Sequence, residues 1–492
     1  MMKIAGRIFA AAVNLFGDRP GYVLAFCAGL FLALGYGQDG INLDSATYAV
    51  IARNMAESGS WLNPHYTAFW HNAFGEHPPL VMWAQGLIFL LLDPNDSSAR
   101  IFGALCTLGS VLCLYAIGRR VDGRGFGFLC GAVLLLTYNY LQIGNSTHLD
   151  VPMTMFVLAS LLVFLIMERS SVTSGRAVLL GVLLGCAWLS KGVVSGPIWV
   201  GLALAVLIWH RQWLGQRRFW LIPAVAIGII VLHLAIDQIF AGGRFWDHYI
   251  QGQISRRFLG RSTEEGNPMW LFSWRFVQLY LPFVILLPIG AVEVLRKRIR
   301  LLYPALITLI LYWTFYSTAA ILFYHYYVPV YALAAPLVAL PVWRLLGPAR
   351  TRKVVAGFAC LWIIAAAGVG IAGVRLHEIR TPELYSLRDQ MNVYLSDRPS
   401  RDGVVVGSGE PNWDHVAKAA WYWRSDLQKD TSFAAALAGL QSGRYAYILA
   451  DKSDTSMIGN LVTARVENVR ELVTNDKIMI YIYSPTPAAD ST

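Results

Sequence analysis

Four ionisable side chains stand where long apolar stretches of this sequence give way to polar residues. Asp44 opens the stretch DSATYAVIARNMAESG, Glu76 precedes His77 and two prolines in FGEHPPLVMW, and Asp150 lies in THLDVPMTMF. Lys191 lies in WLSKGVVSG, between two apolar runs. A carboxylate in such a position can act as the general base for a hydroxyl, and an ammonium group can neutralise a phosphate. These residue types make Asp44 a candidate general base, Asp150 a candidate functional carboxylate and Lys191 a candidate partner for a phosphate.

Each of these residues also has a structural interpretation. Asp44 precedes a stretch with helical spacing and Asp150 stands two residues before Pro152, so either carboxylate could cap the N-terminus of a helix. A cap at Asp44 would not exclude catalysis. Lys191 could instead extend its ammonium group to the membrane surface. The sequence leaves these alternatives open.

Histidines and arginines form two further groups of candidates. Glu76, His148 and His325 are ligand types that suit a divalent cation, and we predict them as a metal site or as partners of the catalytic residues. The segment Ala241–Arg275 is rich in arginine, and guanidinium groups bind phosphate oxygens in a bidentate way. Snorkelling from an amphipathic helix is the alternative for these arginines. An aromatic belt is the alternative for the tyrosines beside His325.

The chain that must position these groups is a membrane protein. Its 492 residues are 56% hydrophobic and 14% charged, with a mean hydropathy of +0.48, whereas soluble chains carry about 25% charged residues. The net charge of +10 lies in short Lys and Arg clusters between apolar runs, which is typical of loops that face anionic lipid and not of nucleic-acid binding. All six cysteines lie in apolar runs, which indicates helix-packing thiols and no disulfide framework or zinc site.

Eleven apolar runs are candidate membrane spans, and we predict about 11–13 transmembrane helices. The runs are 21–37, 99–118, 126–143, 149–167, 177–190, 194–209, 219–240, 276–295, 301–320, 326–343 and 353–374. The run 80–92 is shorter, and we predict that it lies in the outer leaflet without crossing. The basic loops then share the N-terminal side, which the positive-inside rule makes cytoplasmic. On this topology Asp44, Asp150, Lys191 and His325 all face outward.

Residues 376–492 differ in composition from the rest and predict a small α/β domain on the outer side. GVVVGSG, RYAYILAD and KIMIYIYS are typical of strands, and Phe433–Leu440 is typical of a helix. GVVVGSG lacks the spacing and the lysine of a nucleotide-binding loop. We assign residues 1–375 to a transmembrane catalytic domain with a large first outer loop, 38–98.

Six motifs in a fixed order resemble the GT-C membrane glycosyltransferases. They are DSATYAVIARNMAESGSW, FGEHPPLVMW, SSARIFGALCTLGSVLCLYAIGRRV, HLDVPMTMF, WLSKG and HYYVPVYALAAP. Together they extend from Ile41 to Pro336, and they are most similar to the bacterial branch that includes lipid A aminoarabinose transferase. The similarity to protein O-mannosyltransferases is more distant. The resemblance implies a polytopic α-helical fold of the GT-C type.

The resemblance also implies roles for individual residues. Asp44 matches the catalytic aspartate of the first loop, Asp150 the second acidic site, and Glu76 the glutamate before the double proline. Ser45 departs from the pattern by replacing a second carboxylate, and His77 departs from it by replacing a lysine. A titratable imidazole thus stands where the family carries a permanent charge. We expect the donor phosphate to be bound by His77, Lys191, Arg256, Arg257 and Arg261, and the donor or acceptor to be lined by Tyr48, Trp83 and Tyr326.

The implied reaction moves a sugar from polyprenyl phosphate to a hydroxyl or phosphate of a lipid or glycan, with inversion at the anomeric carbon. Lipid A or the lipopolysaccharide core is the favoured acceptor, and a protein acceptor stays open. The implied location is the periplasmic or extracellular face of a bacterial inner membrane, and a divalent cation is a possible cofactor. The alternative function is a transporter or flippase for lipid-linked sugars, which the outer position of the carboxylates and the lack of an internal repeat disfavour.

Overall fold

A computed structural model describes residues 2–70, 74–259, 267–374, 384, 386–398, 400–406, 412–430, 432–451, 469–474 and 478–483. Their contacts form two compact units. The first, here called the membrane unit, comprises Met1–Asp39, Trp61–Pro64 and Phe74–His377. The second, here called the α/β unit, comprises Gly40–Ser60, His65–Ala73 and Glu378–Thr492. Part of the first outer loop therefore belongs with the C-terminal residues, and the predicted boundary at residue 375 stays a prediction.

The membrane unit is built from helices at every predicted apolar run. They are α1 (Met2–Phe16) and α2 (Pro20–Tyr36), and, after helix α3 of the other unit (Leu43–Ser58), α4 (Leu80–Phe89), α5 (Asp96–Leu135), α6 (Tyr138–Gly144), α7 (Asp150–Arg169), α8 (Ser174–Lys191), α9 (Gly196–Trp209), α10 (Leu221–Phe240), α11 (Trp270–Leu279), α12 (Leu286–Arg296), α13 (Tyr303–Ser317), α14 (Val328–Leu346) and α15 (Thr351–Ala372). A π-helical segment, Trp246–Leu259, follows α10. Helix α4 has 10 residues, which is too short to cross a bilayer and agrees with the prediction for the run 80–92.

Within the described ranges, six helical stretches are long and apolar enough to cross a membrane, or seven if the bent pair α1 and α2 is one span. The predicted count of 11–13 is larger for two reasons. Two of these stretches contain two predicted spans each, and the predicted spans 276–295 and 301–320 form helices of only 10, 11 and 15 residues. In α5, Asp122 and Gly123 leave the helical conformation, and Gly123 has φ 84°. A Cβ at Gly127 would lie 2.4 Å from the carbonyl oxygen of Tyr115. The two arms of α5 therefore fold back on each other in close contact.

The charged residues of the membrane unit collect at two opposite ends. One, the site end, is marked by Asp150 and Lys191, at the start of α7 and the end of α8. The other, the basic end, is marked by the contact of His210 with Glu168 at 3.4 Å. Because α7 rises about 1.5 Å per residue, its 20 residues separate the two ends by about 30 Å, the thickness of a hydrocarbon core. Glu168 also lies near Arg300, Arg120 lies near Arg169, and Arg344 lies 3.1 Å from Asp122. The basic loops thus share one end, as the charge pattern predicted.

Helix α14 lies at the centre of the membrane unit, since nearly all of its residues are buried. It packs against α5, α12 and α13. A helix that is apolar on every face is expected in such a central position. The six cysteines lie in α2, α5, α8 and α15 and are buried or partly buried, which confirms the prediction that they pack within helices.

The α/β unit contains α3 and the C-terminal helices α16 (Arg388–Ser396), α17 (Trp413–Tyr422) and α18 (Phe433–Gln441). Its strands are β1 (Gly403–Val406), β2 (Leu427–Asp430), β3 (Tyr447–Asp451), β4 (Val469–Thr474) and β5 (Ile478–Tyr483). They form one sheet in the order β2-β1-β3-β5-β4, in which β1 runs parallel to β2 and β3, and β5 runs antiparallel to β3 and β4. The three predicted strands and the predicted helix are confirmed, whereas β2, β4, α16 and α17 were not predicted.

Helix α3 is held within the α/β unit by Arg53. Its guanidinium group is buried and donates hydrogen bonds to the carbonyl oxygens of Ala420 at 3.0 Å and Trp421 at 3.1 Å, near the end of α17. Burial, reinforced by the nearby charge of Arg424, lowers the pKa of Arg53 to about 10. The side chain thus satisfies carbonyl groups that a helix end leaves without intrahelical partners.

Candidate active site

Asp150 and Lys191 form a buried ion pair at the site end of the membrane unit. The Nζ atom of Lys191 lies 2.5 Å from Oδ2 of Asp150, and the two side chains are 4% and 1% exposed. Asp150 is the first residue of α7 and Lys191 the last of α8. A carboxylate at a helix N-terminus and a cation at a helix C-terminus are both favoured by the helix dipole. The antiparallel packing of α7 and α8 therefore brings together two residues that are 41 positions apart.

This geometry excludes two of the structural alternatives. The N-cap position of α7 is Leu149, and its side chain makes no capping hydrogen bond, so Asp150 is not the cap. Lys191 does not extend to the membrane surface, because its side chain is almost fully buried.

Two histidines lie beside the ion pair. Nε2 of His325 is 3.9 Å from Oδ2 of Asp150, and the ring centroids of His148 and His325 are 5.0 Å apart. Both imidazoles are partly exposed. The structure therefore joins two of the predicted metal or partner residues to Asp150. The divalent cation predicted for Glu76, His148 and His325 stays a prediction.

Two tyrosines shape the surroundings of Lys191. Its Nζ atom lies 5.2 Å from the ring centroid of Tyr326, within the range of a cation–π interaction. The hydroxyl of Tyr249 donates a hydrogen bond to the carbonyl oxygen of Lys191 and accepts one from the backbone N–H of Val193, both at 2.8 Å. Gly192, between them, has φ 65°, and a Cβ there would lie 2.3 Å from the Tyr249 hydroxyl. Only glycine fits this turn, which fixes the position of Lys191.

The loop that carries Glu76 and His77 packs in the same unit. A Cβ at Gly75 would lie 2.7 Å from the carbonyl oxygen of Arg244, so the loop touches the backbone that leads into the π-helical segment. His77 is buried, and its ring centroid is 6.1 Å from that of Tyr249. Glu76 is partly exposed. Tyr249 thus contacts His77 on one side and the backbone of Lys191 on the other.

Of the remaining predicted residues, the structure describes Trp83, whereas the predicted arginines lie partly or wholly outside the described residues. The indole N–H of Trp83, on α4, donates a hydrogen bond to the carbonyl oxygen of Trp61 at 2.7 Å, which holds its side chain against the first outer loop. Arg256 and Arg257 belong to the π-helical segment by their backbone, but their side chains, and all of Arg261, lie outside the described residues.

Asp44 and Tyr48 lie on α3, in the α/β unit. The N-cap of α3 is Asn42, whose side chain accepts a hydrogen bond from the backbone N–H of Ser45 at 2.9 Å. The capping alternative for Asp44 is therefore wrong. Asp44 stands in the first turn of α3, where a carboxylate interacts favourably with the helix dipole. Tyr48 is buried, and Asp44 is partly exposed.

Sequence reasoning missed Tyr249. It lies in the arginine-rich segment that was singled out for its charge, and its spacing carries no signal. Its hydroxyl acts on the backbone of a residue 58 positions away, which only the packing of distant helices can create.

Part of this chain matches a known protein family, and most of it is similar to named relatives. The family described as dolichyl-phosphate-mannose-protein mannosyltransferase matches residues 76–236. The undecaprenyl phosphate-alpha-4-amino-4-deoxy-L-arabinose arabinosyl transferase of Shewanella sediminis is 25% identical over 455 residues, which is 91% of this chain and 79% of that protein. A Pseudomonas fluorescens protein of the same description is 26% identical over 57% of this chain and 51% of its own length.

Two solved structures share the fold. ArnT from Cupriavidus metallidurans, bound to undecaprenyl phosphate, superposes with a TM-score of 0.71 at 17% identity and covers 94% of this chain and 97% of its own. The oligosaccharyltransferase of Archaeoglobus fulgidus superposes with a TM-score of 0.58 at 11% identity, over 88% of this chain and 69% of its own. The comparisons confirm the predicted fold class and the predicted resemblance to GT-C membrane glycosyltransferases.

Proposed function

We propose that this chain is a membrane glycosyltransferase that moves a sugar from undecaprenyl phosphate to a hydroxyl or phosphate of a lipid or glycan acceptor. The observation that carries the proposal is the buried pair of Asp150 and Lys191, with His325 beside it, at one end of an ArnT-like helix bundle. A charged pair inside a bundle is costly unless it serves a site. The relatives whose names specify an undecaprenyl phosphate-linked aminoarabinose supply the donor class.

In the proposed reaction an acceptor hydroxyl displaces the phosphate directly. The acceptor oxygen forms a bond with the anomeric carbon, and the bond between that carbon and the phosphate oxygen breaks with its electron pair on the phosphate. The acceptor proton passes to Asp44, which serves as general base. The configuration of the anomeric carbon is inverted because the two oxygens lie on opposite sides of it.

Cationic groups stabilise the departing phosphate in this proposal. The Asp150 and Lys191 pair has no net charge, so we assign Lys191 first to holding Asp150 in place and second to the donor phosphate. His77 and the arginines at 256, 257 and 261 supply the remaining positive charge. Tyr48, Trp83 and Tyr326 line the donor or the acceptor.

We place the reaction at the periplasmic or extracellular face of a bacterial inner membrane. The basic loops share the end of the membrane unit opposite Asp150, and such loops are normally cytoplasmic. The favoured acceptor is lipid A or the lipopolysaccharide core. The bundle itself offers the apolar surroundings that a polyprenyl chain needs.

The test is transfer by the purified protein from a panel of radiolabelled polyprenyl-phosphate sugars, beginning with 4-amino-4-deoxy-L-arabinose, to a membrane glycolipid extract. Asp44→Asn is compared with Glu57→Gln, which removes an exposed carboxylate on the same helix. We expect label in the lipid A fraction with wild type and Glu57→Gln, and at least a hundredfold less with Asp44→Asn. Donor binding without transfer from any sugar would contradict the proposal and would lead to a flipping assay in vesicles.

A further inference from the structure

A basic cavity lies at the end of the membrane unit opposite the candidate active site. It has a volume of about 410 Å³, and its walls include Arg19, just before α2, and Arg119 and Arg124, both in α5. All three side chains are exposed. The one carboxylate in the wall, Asp18, is already paired with Arg352 at 3.0 Å. The cavity therefore carries an excess of about three positive charges.

The position of the cavity follows from the first arm of α5. At one end of this arm the carbonyl oxygen of Ala99 accepts a hydrogen bond from Thr147, three residues before Asp150. Arg119 comes 20 residues later on the same helix. At about 1.5 Å per residue this is about 30 Å, the thickness of the hydrocarbon core. The cavity is thus at the opposite membrane surface from Asp150.

The rest of the cavity wall is apolar and faces outward from the bundle. Tyr22 is 78% exposed and Leu112 is 36% exposed. Exposed apolar side chains continue along the same helices at Phe26 and Leu105, one and two turns away. In a membrane-spanning bundle such an exposed apolar face suits contact with lipid chains.

We propose that this cavity binds the head group of an anionic glycerophospholipid, with the three arginines on its phosphate and the acyl chains along the exposed faces of α2 and α5. Guanidinium groups suit phosphate oxygens because they can bind them in pairs. A soluble phosphate would meet the same charges but would leave the apolar wall uncovered. The combination of three arginines and an exposed apolar wall therefore favours a lipid over a soluble phosphate.

The test is native mass spectrometry of the purified full-length protein titrated with dioleoylphosphatidylglycerol, dioleoylphosphatidylcholine or glycerol 3-phosphate. Each basic residue near a membrane surface strengthens binding of anionic lipid about fivefold. We expect the anionic lipid to bind wild type at least tenfold more tightly than the zwitterionic lipid. The triple variant Arg19→Gln, Arg119→Gln, Arg124→Gln should lose this preference.

The matched control is the triple variant Arg211→Gln, Arg217→Gln, Arg218→Gln, which removes three exposed arginines from another loop. It should keep the preference of wild type. Leu112→Trp fills the cavity while every charge remains, and it should weaken binding of the anionic lipid at least tenfold. The proposal is overturned if both triple variants lose the preference equally, if Leu112→Trp binds as wild type does, or if glycerol 3-phosphate binds as tightly as the lipid.

Discussion

Replacing Lys191 by methionine tests whether the ion pair holds Asp150. The new side chain has nearly the same length, but it removes the ammonium group that lies 2.5 Å from Oδ2 of Asp150. Both side chains are buried, so water cannot take the place of the lost partner. Breaking a buried pair in this way costs about 3–5 kcal/mol. The carboxyl group can also take up a proton, which limits the cost to about 4 kcal/mol at pH 7 for an ordinary aspartate.

We therefore expect Lys191→Met to lower the stability of the membrane unit by about 3 kcal/mol, since His325 at 3.9 Å compensates in part. Asp150→Asn alone leaves a buried ammonium group and should cost a similar amount. The double variant removes both charges. Its loss of stability should be smaller than the sum of the losses of the two single variants by at least about 2 kcal/mol. The three variants are compared by thermal unfolding in detergent and by the rate of sugar transfer.

Lys297→Met is the matched control, because Lys297 forms an ion pair with Glu293 at 3.0 Å but is 58% exposed. An exposed pair contributes about 0–1 kcal/mol. In the transfer assay, a loss of 3 kcal/mol in the transition state corresponds to about a 150-fold lower kcat/KM. The reasoning would be refuted if Lys191→Met were no less stable than Lys297→Met and the two single effects added without coupling.

Three further predictions concern other parts of the fold. Tyr249→Phe removes the hydroxyl that forms hydrogen bonds with the backbone on both sides of Gly192. We expect a local destabilisation of about 1–3 kcal/mol, which would appear as faster hydrogen exchange at residues 191–193 and a lower kcat/KM. Arg53→Met removes two buried hydrogen bonds from a charged donor and should destabilise the α/β unit by about 3 kcal/mol, measured by limited proteolysis against Arg424→Met, an exposed neighbour. Burial raises the pKa of Asp426 above 3.8. The contribution of this carboxyl group to stability is therefore present below pH 3.8 and is lost as the pH rises through the raised pKa. The stability of Asp426→Asn minus that of wild type should therefore increase between about pH 4 and pH 7, measured by thermal unfolding at each pH.

The sequence predicted the helices well because each apolar run has one stable structure in a bilayer. The backbone N–H and C=O groups must be satisfied within the run, and a helix does so. The strands at 403, 447 and 478 were predicted for a similar reason, since each is a run of β-branched and aromatic residues. Strands β2 and β4 were missed because LQKD and VRELVT are polar, and only pairing with their neighbours makes them strands.

The candidate site was predicted one residue at a time. Asp150, Lys191 and His325 each stood out as polar groups at the ends of apolar runs, but the distances between them depend on how α7, α8 and α14 pack. The interpretation of Asp44 as a cap failed because a better cap, Asn42, stands two residues earlier with Ser45 in the right place to donate. That signal was present in the sequence INLDSATY.

The ends of two helices explain in part how two charges are held in the bundle. Asp150 lies at the N-terminus of α7 and Lys191 at the C-terminus of α8, where the helix dipoles contribute about 0.3–1 kcal/mol each and up to about 2 kcal/mol when partly buried. Removing the two ions from water costs several kcal/mol each. The dipoles alone therefore fall short, and the remainder must come from the attraction between the two groups and from His325. Because each charge depends on the other, either single substitution should displace the partner, and the pair should behave in catalysis as one unit.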